Sequence, residues 1–335
     1  MPEEQTTASA PAELAAFIPV DLRSFTPNRP PLVDVYYRSG NHYVLMCAGQ
    51  LVMSRALKQR YIDSGVRVVY ARLVGERFSA GGLELADLLA LPDEHLPVPI
   101  KAGLLYYSAV SATRAAISDT GAQANDLVRA CEFVGSMALQ LSRTPETQRA
   151  LLALMRHDSY VYVHSVNVAI YSAMLGSSLG VSREDVSGLS RAAFLHDVGK
   201  TRIPLDVLNK RGALTREDWK LIKMHPEWSV EILGQDTPAM QSARKIIMQH
   251  HERLDGRGYP HGLSDNEIDH LARIVALTDV FDAMTSERPY RPSVDPVEAL
   301  RVVKRDELSG HLDRDVFVGF VRVLNVPNKR ELESD

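Results

Sequence analysis

Histidines and aspartates set inside apolar stretches constrain this chain more than any other feature of its sequence. Of 11 histidines in 335 residues, only His42 and His95 precede residue 157. His164 lies in Val161-Tyr162-Val163-His164-Ser165-Val166-Asn167-Val168, and Val168, Tyr171 and Leu175 follow it at helical spacing. That spacing puts its imidazole on the core stripe of a helix. His196-Asp197 ends an apolar run through Leu189, Ala192, Ala193 and Leu195, and Asp279 is enclosed by Ile274-Val275-Ala276-Leu277-Thr278 and Val280-Phe281. His250-His251 close a run containing Ile246, Ile247 and Met248, directly before Glu252. His225 precedes Pro226, where a helix is expected to bend. Each has a plain reading when taken alone, His164 as a hydrogen-bonded core histidine and His225 as a surface one. Together they would require one apolar helical domain to bury several titratable groups without partners, which is costly.

Metal binding removes that cost for all of them at once. Imidazole and carboxylate are the usual ligands of zinc, iron and manganese. The two cysteines, Cys47 and Cys131, are far apart and form no CxxC pair, which argues against a disulfide framework and against a cysteine-bound zinc site. Seven ligands are too many for one ordinary ion and suit two. A shared carboxylate can hold two ions about 3.5–4 Å apart, the spacing used in phosphoester hydrolysis.

The rest of the chain is that of an ordinary water-exposed globular protein, with 45% hydrophobic and 24% charged residues. A net charge of −4 gives no global footprint for a nucleic acid polymer but leaves room for a local phosphate pocket. The start, with two early acidic residues and no basic region, does not read as a secretory signal. No apolar run reaches the roughly 18 residues needed to span a bilayer, so the expected location is the cytoplasm. Residues 1–15 read as a disordered tail. Residues 16–80 read as a small α/β domain: strands at Val33–Tyr37 and Tyr43–Met46 joined by a Ser39-Gly40-Asn41 turn, a helix over Leu51–Ser64 stopped by Gly65, and a strand at Val66–Tyr70. Residues 81–145 read as a helical linker, with apolar positions at Leu104, Tyr107 and Val110 and again at Leu127, Cys131, Val134 and Leu139. Plain packing and signal transmission are both open for it. Residues 146–330 read as almost entirely helical, with starts marked by Ser182-Arg183-Glu184-Asp185, Thr215-Arg216-Glu217-Asp218 and Asp295-Pro296-Val297-Glu298.

Three motifs then fall in order: His196-Asp197-Val198-Gly199-Lys200, His250-His251-Glu252 and Asp255-Gly256-Arg257-Gly258-Tyr259-Pro260. With Asp279 and Arg288-Pro289-Tyr290-Arg291 they resemble the HD-GYP signature, a subgroup of the HD-domain phosphohydrolases, over roughly residues 146–327. The resemblance implies a mainly α protein, with an all-helical HD-type catalytic domain preceded by the small α/β domain and linker. It implies metal-dependent hydrolysis of cyclic di-GMP, a bacterial second messenger. Carried over by position, His164, His196, Asp197 and Asp279 would hold one divalent ion. Asp197 would bridge to a second, held by His225, His250 and His251, with iron or manganese the expected metals. Lys200 would contact the scissile phosphate, Gly258, Tyr259 and Pro260 would shape the ligand pocket, and Arg288 and Arg291 would pair with ligand phosphate. Asp197 and Lys200 would carry the catalysis, in which metal-activated water attacks phosphorus in line.

One departure matters. Some members use a glutamate four residues before the first histidine to bind a third metal. Here that position is Tyr160, and Asp158 lies on a different helix face, so two metals and a linear pGpG product are expected, with onward conversion to GMP in doubt. The α/β domain does not look like a phosphorylatable receiver, because no acidic pair follows an early strand. A homodimer or signalling-partner contact through this region is the expected regulatory input. Two alternatives stay open: a catalytically weak cyclic di-GMP receptor, and a phosphodiesterase of another cyclic dinucleotide.

Overall fold

A computed structural model describes residues 17–25, 27–28, 34–40, 42–48, 53–72, 97–116, 134–135, 152, 155, 163–208, 210, 212–233, 238–286 and 293–324. The N-terminal tail, most of the 81–145 segment, Asp158, Tyr160, Arg288 and Arg291 lie outside the described residues. The expected fold class holds, a helical domain preceded by a small sheet. Backbone packing divides the chain into two units, Met1–Ser108 with Pro145–Leu154 and Ala109–Thr144 with Met155–Asp335.

The first unit is built on an antiparallel sheet of β1 (Phe17–Asp21), β2 (Asp34–Ser39), β3 (His42–Cys47) and β4 (Val68–Arg72), in the order β1-β4-β2-β3. The hairpin expected around Gly40 joins β2 to β3, with Ser39 opposite His42. β1 is an addition to the sequence reading. Its Pro19 removes a ladder donor, which a strand tolerates at a sheet edge, and β1 is an edge. Helix α1 (Arg55–Asp63) starts later than the expected Leu51. Ser54 sets its start by accepting from the Leu57 N–H at 3.1 Å. The Lys58 ammonium then donates to the Arg23 and Phe25 carbonyls at 2.9 and 2.6 Å, tying the helix to the turn after β1.

Helix α2 (Val98–Ala116) contains the division between the units. The second unit continues with α3 (Val163–Ser178), α4 (Arg183–Leu195), a 3₁₀ turn at Val198–Arg202, the short α5 (Leu205–Leu208), α6 (Arg216–Lys223), α7 (His225–Leu233), α8 (Pro238–Gln249), α9 (His270–Thr285), α10 (Pro296–Leu308) and α11 (Arg314–Leu324). The expected helix starts carry their caps: Ser182 accepts from Asp185 N–H, Thr215 and Asp218 form a reciprocal capping box, and Asp295 accepts from Val297 N–H. At Pro226 the outcome is sharper than the expected bend. α6 ends, and α7 begins with His225 and Pro226, where a proline has no intrahelical N–H to lose.

α3 is buried along nearly its whole length and packs against α4, α9 and α11. Tyr171, Phe281 and Phe320 meet edge-to-face at centroid distances of 5.4, 5.6 and 4.9 Å. Each such pair adds about 0.5–1.5 kcal/mol beyond its area burial. Ser172 and Thr278 pair their hydroxyls at 2.8 Å across the α3–α9 contact, so these two polar groups enter the core satisfied. The core thereby fixes α3, α4 and α9 against one another, and these helices carry His164, His196 and Asp279.

Candidate metal centre

His164 on α3, His196-Asp197 after α4, His225 opening α7, His250-His251 after α8 and Asp279 on α9 converge in the second unit. Their ligand-type atoms form two groups, each with all atoms within 4.8 Å of one another: His164, His196 and Asp279, and Asp197, His225, His250 and His251. Asp197 touches both groups. Its Oδ2 lies 3.6 Å from His164 Nε2 and 3.4 Å from His196 Nε2, and its Oδ1 lies 3.2 Å from His225 Nε2. His164 Nε2 also lies 3.1 Å from Asp279 Oδ1.

Three of the histidines are aimed by helix ends. The last carbonyls of a helix lack intrahelical donors. His196 Nδ1 donates to Ala193 O at 2.6 Å, His225 Nδ1 to Ile222 O at 2.7 Å and His250 Nδ1 to Ile247 O at 2.6 Å. A carbonyl can only accept, so each Nδ1 carries the proton and each Nε2 faces the cluster. The spacing is the same in all three, a carbonyl three residues upstream. Their planes cross edge-on, at 5.0 Å for His196–His250 and 5.3 Å for His225–His250.

The electrostatics split the same way. Burial opposes a charge on His196, but the carboxylates of Asp197 and Asp279 outweigh it and hold the imidazole up at about 9. Against the same burial, Asp197, Asp279 and Asp282 hold His164 well above the usual histidine range. Burial pushes His225 down to about 4 and His251 down to about 3, and burial, with the imidazoles of His251, His196 and His225 around it, pushes His250 well below the usual range. Asp197 and Asp279 stay ionised despite burial, because imidazoles and, for Asp197, Lys200 face them. Two buried carboxylates thus demand cationic charge, and three neutral imidazoles offer lone pairs. His164 Nε2, His196 Nε2 and Asp197 Oδ1 are buried without an aligned hydrogen bond. These residues fit divalent cations.

Lys200, in the 3₁₀ turn, places its ammonium 2.6 Å from Asp197 Oδ2 while remaining a third exposed. Tyr259 stacks on His251 at 4.7 Å between centroids, and the Lys223 ammonium lies 5.4 Å from the centre of the Tyr259 ring. Burial, with Asp197 and Asp279 behind it, pushes the Tyr259 phenol up, so it stays a hydrogen-bond donor. Gly258-Tyr259-Pro260 therefore borders the second ligand group, with a cis bond before Pro260.

Several supporting residues were not assigned roles from sequence. Glu252, buried, accepts from the N–H groups of His261, Gly262 and Leu263 at 2.7, 3.1 and 3.0 Å and so folds the loop that carries Tyr259. Ser229 accepts from Gly199 N–H at 2.8 Å and donates to the His196 carbonyl at 2.9 Å, clasping α7 to the end of α4. Asp282, one helical turn after Asp279, lies 2.7 Å from His164 Nδ1. Its signal was available: a second acid inside the same apolar helix.

The HD domain family model matches residues 137–316, and the chain belongs to that family. It is 32% identical over 296 residues to a cyclic di-GMP phosphodiesterase of Pseudomonas aeruginosa, covering 83% of this chain and 70% of that one. It is 35% identical over 167 residues to a 3′3′-cGAMP-specific phosphodiesterase of Vibrio cholerae, and 39% identical over 156 residues to a cyclic di-GMP phosphodiesterase of Thermotoga maritima. These two alignments cover 50% and 46% of this chain and 36% and 42% of the relatives. An HDG"Y"P protein from Bdellovibrio bacteriovorus shares the fold, with a TM-score of 0.61 at 19% identity, covering 93% of this chain and 100% of that one.

Proposed function

We propose that this chain is a cytoplasmic, metal-dependent phosphodiesterase that opens cyclic di-GMP to linear pGpG. The observation that carries the reading is the pair of ligand groups sharing Asp197, with Lys200 on the same carboxylate. His164, His196, Asp279 and Asp197 would hold one ion, and Asp197, His225, His250 and His251 the other, with iron or manganese as the metals. When bound, the ions lower the pKa of water and neutralise charge on the phosphoryl oxygens. Asp197 orients the site by offering one oxygen to each half. Lys200 adds a positive charge beside the scissile phosphate, where it counts most in a water-poor pocket. Tyr259 lends the ligand a flat ring and a phenolic proton, with Gly258 and Pro260 shaping the pocket around it. Arg288 and Arg291 take the remaining phosphate charge. Tyr160, in place of a third-metal glutamate, supports a reaction that stops at pGpG. The 16–80 domain and the 81–145 linker would bring in a regulatory signal through a second copy or a partner.

Anaerobic purification, metal analysis and product identification from cyclic di-GMP test the proposal. Two ions per chain and pGpG as product are expected, with no turnover by the Asp197→Ala variant; equal turnover by that variant would sink it. The cGAMP-specific relative favours a second reading, hydrolysis of a mixed cyclic dinucleotide. Side-by-side turnover of the two substrates separates the readings. Tight cyclic di-GMP binding with full metal and no product would make the protein a receptor.

A further inference from the structure

We propose that Asp282 is a positioning residue for the metal centre, holding His164 as an Nε2 ligand and adding negative charge to that half of the site alone. This rests on the metal-dependent reading above. His196, His225 and His250 are each oriented by a neutral carbonyl of their own helix end. His164 is the second residue of α3 and does not follow a helix end as those three do. Its Nδ1 instead meets the Asp282 Oδ2 at 2.7 Å, across the α3–α9 contact.

The acceptor is itself built in. Asp282 is 1% exposed, Asn167 Nδ2 donates to its Oδ1 at 2.9 Å, and Ser286 Oγ donates to its Oδ2 at 3.0 Å. Asn167 is three residues after His164, so α3 supplies both the ligand and a donor that steadies the ligand's partner. A carboxylate behind an imidazole fixes its tautomer and strengthens it as a donor to metal. The His164 half then faces three carboxylates, Asp197, Asp279 and Asp282. The half made by His225, His250 and His251 shares only Asp197. The two ions are therefore held unequally, and Asp282 acts on one of them.

Cobalt(II) titration of the full-length chain, followed by visible absorption and by metal analysis after dialysis, reads this without turnover. Wild type is expected to hold two ions. Asp282→Ala should keep one at wild-type affinity and weaken the other roughly 10- to 100-fold, the usual effect of losing such a partner. Asp282→Asn, whose amide oxygen still accepts from Nδ1–H, should fall between the two. Should Asp282→Ala fail to fold by circular dichroism, Asp282→Asn decides. Unchanged affinity for both ions in the folded variant, or equal weakening of both, overturns the role of Asp282 while leaving the metal centre intact. Failure of wild type itself to take up stoichiometric metal would instead remove the reading on which it rests.

Discussion

A methyl group added at Gly199 would lie 2.1 Å from the His225 carbonyl oxygen and 2.5 Å from the Ser229 nitrogen, both backbone atoms. No rotamer change relieves that overlap, so α7 must move away from the end of α4. Gly199→Ala should cost about 1–3 kcal/mol and carry His225 away from Asp197. A lowered melting temperature together with loss of metal retention checks this. Gly258 is confined in the same way, its added carbon 2.4 Å from Glu252 Cα. Glu252 offers the complementary test. Glu252→Ala leaves three backbone N–H groups without their acceptor, at about 1–3 kcal/mol for each that stays buried. Because those groups shape the Tyr259 loop and not the ligand cluster, KM for cyclic di-GMP should rise more than kcat falls. Steady-state kinetics would decide, and a fall in kcat alone would contradict it.

At the scale of elements, the start of α6 shows a cap acting as a pH-dependent tie. Asp218 accepts from the Lys210 ammonium at 2.5 Å and from the Thr215 N–H at 2.8 Å, and these hold its carboxyl down at about 2. A carboxyl depressed in the folded state stabilises the fold above its unfolded value near 3.8, and that contribution fades as pH falls toward 2. The stability difference between wild type and Asp218→Asn should therefore be largest above about pH 5 and close under acid. Urea unfolding across this range measures it. Thr215→Ala should cost about 0.5–2 kcal/mol through the lost cap. Much of this level was legible from the chain. The three marked helix starts depend on side chains within four residues, and the β2–β3 hairpin depends on one turn. β1 was not legible, because Phe17-Ile18-Pro19-Val20-Asp21 has no clean alternation and a proline that only an edge position accommodates. At Pro226, proline chemistry implies either a bend or a start, and packing against the His196 turn selects the start.

Across the whole molecule, the candidate ligands come from five chain segments between residues 163 and 285, brought together by the α3–α4–α9 core. The seven residues stood out in the sequence because titratable groups in apolar runs need a common explanation. Asp282 did not, since a ligand and its support look alike until their distances are known. A cation bound only by the folded chain stabilises it by mass action, about 4 kcal/mol at a thousandfold excess over its Kd. Chelation should lower the melting temperature, and re-addition of iron(II) or manganese(II) should restore it; calorimetry with and without chelator checks this. Among the described residues no helix is long and apolar enough to cross a membrane.

The histidines that follow helices carry a lesson for protein engineering. At positions 196, 225 and 250 the orienting carbonyl lies three residues upstream in the same helix end. Each is a local unit, a terminal helical turn plus the one or two residues after it, whose imidazole is aimed by that turn's own backbone, and such a unit is a natural candidate for grafting onto other helical scaffolds. His164 cannot be transplanted alone, because its orientation is borrowed from a neighbouring helix.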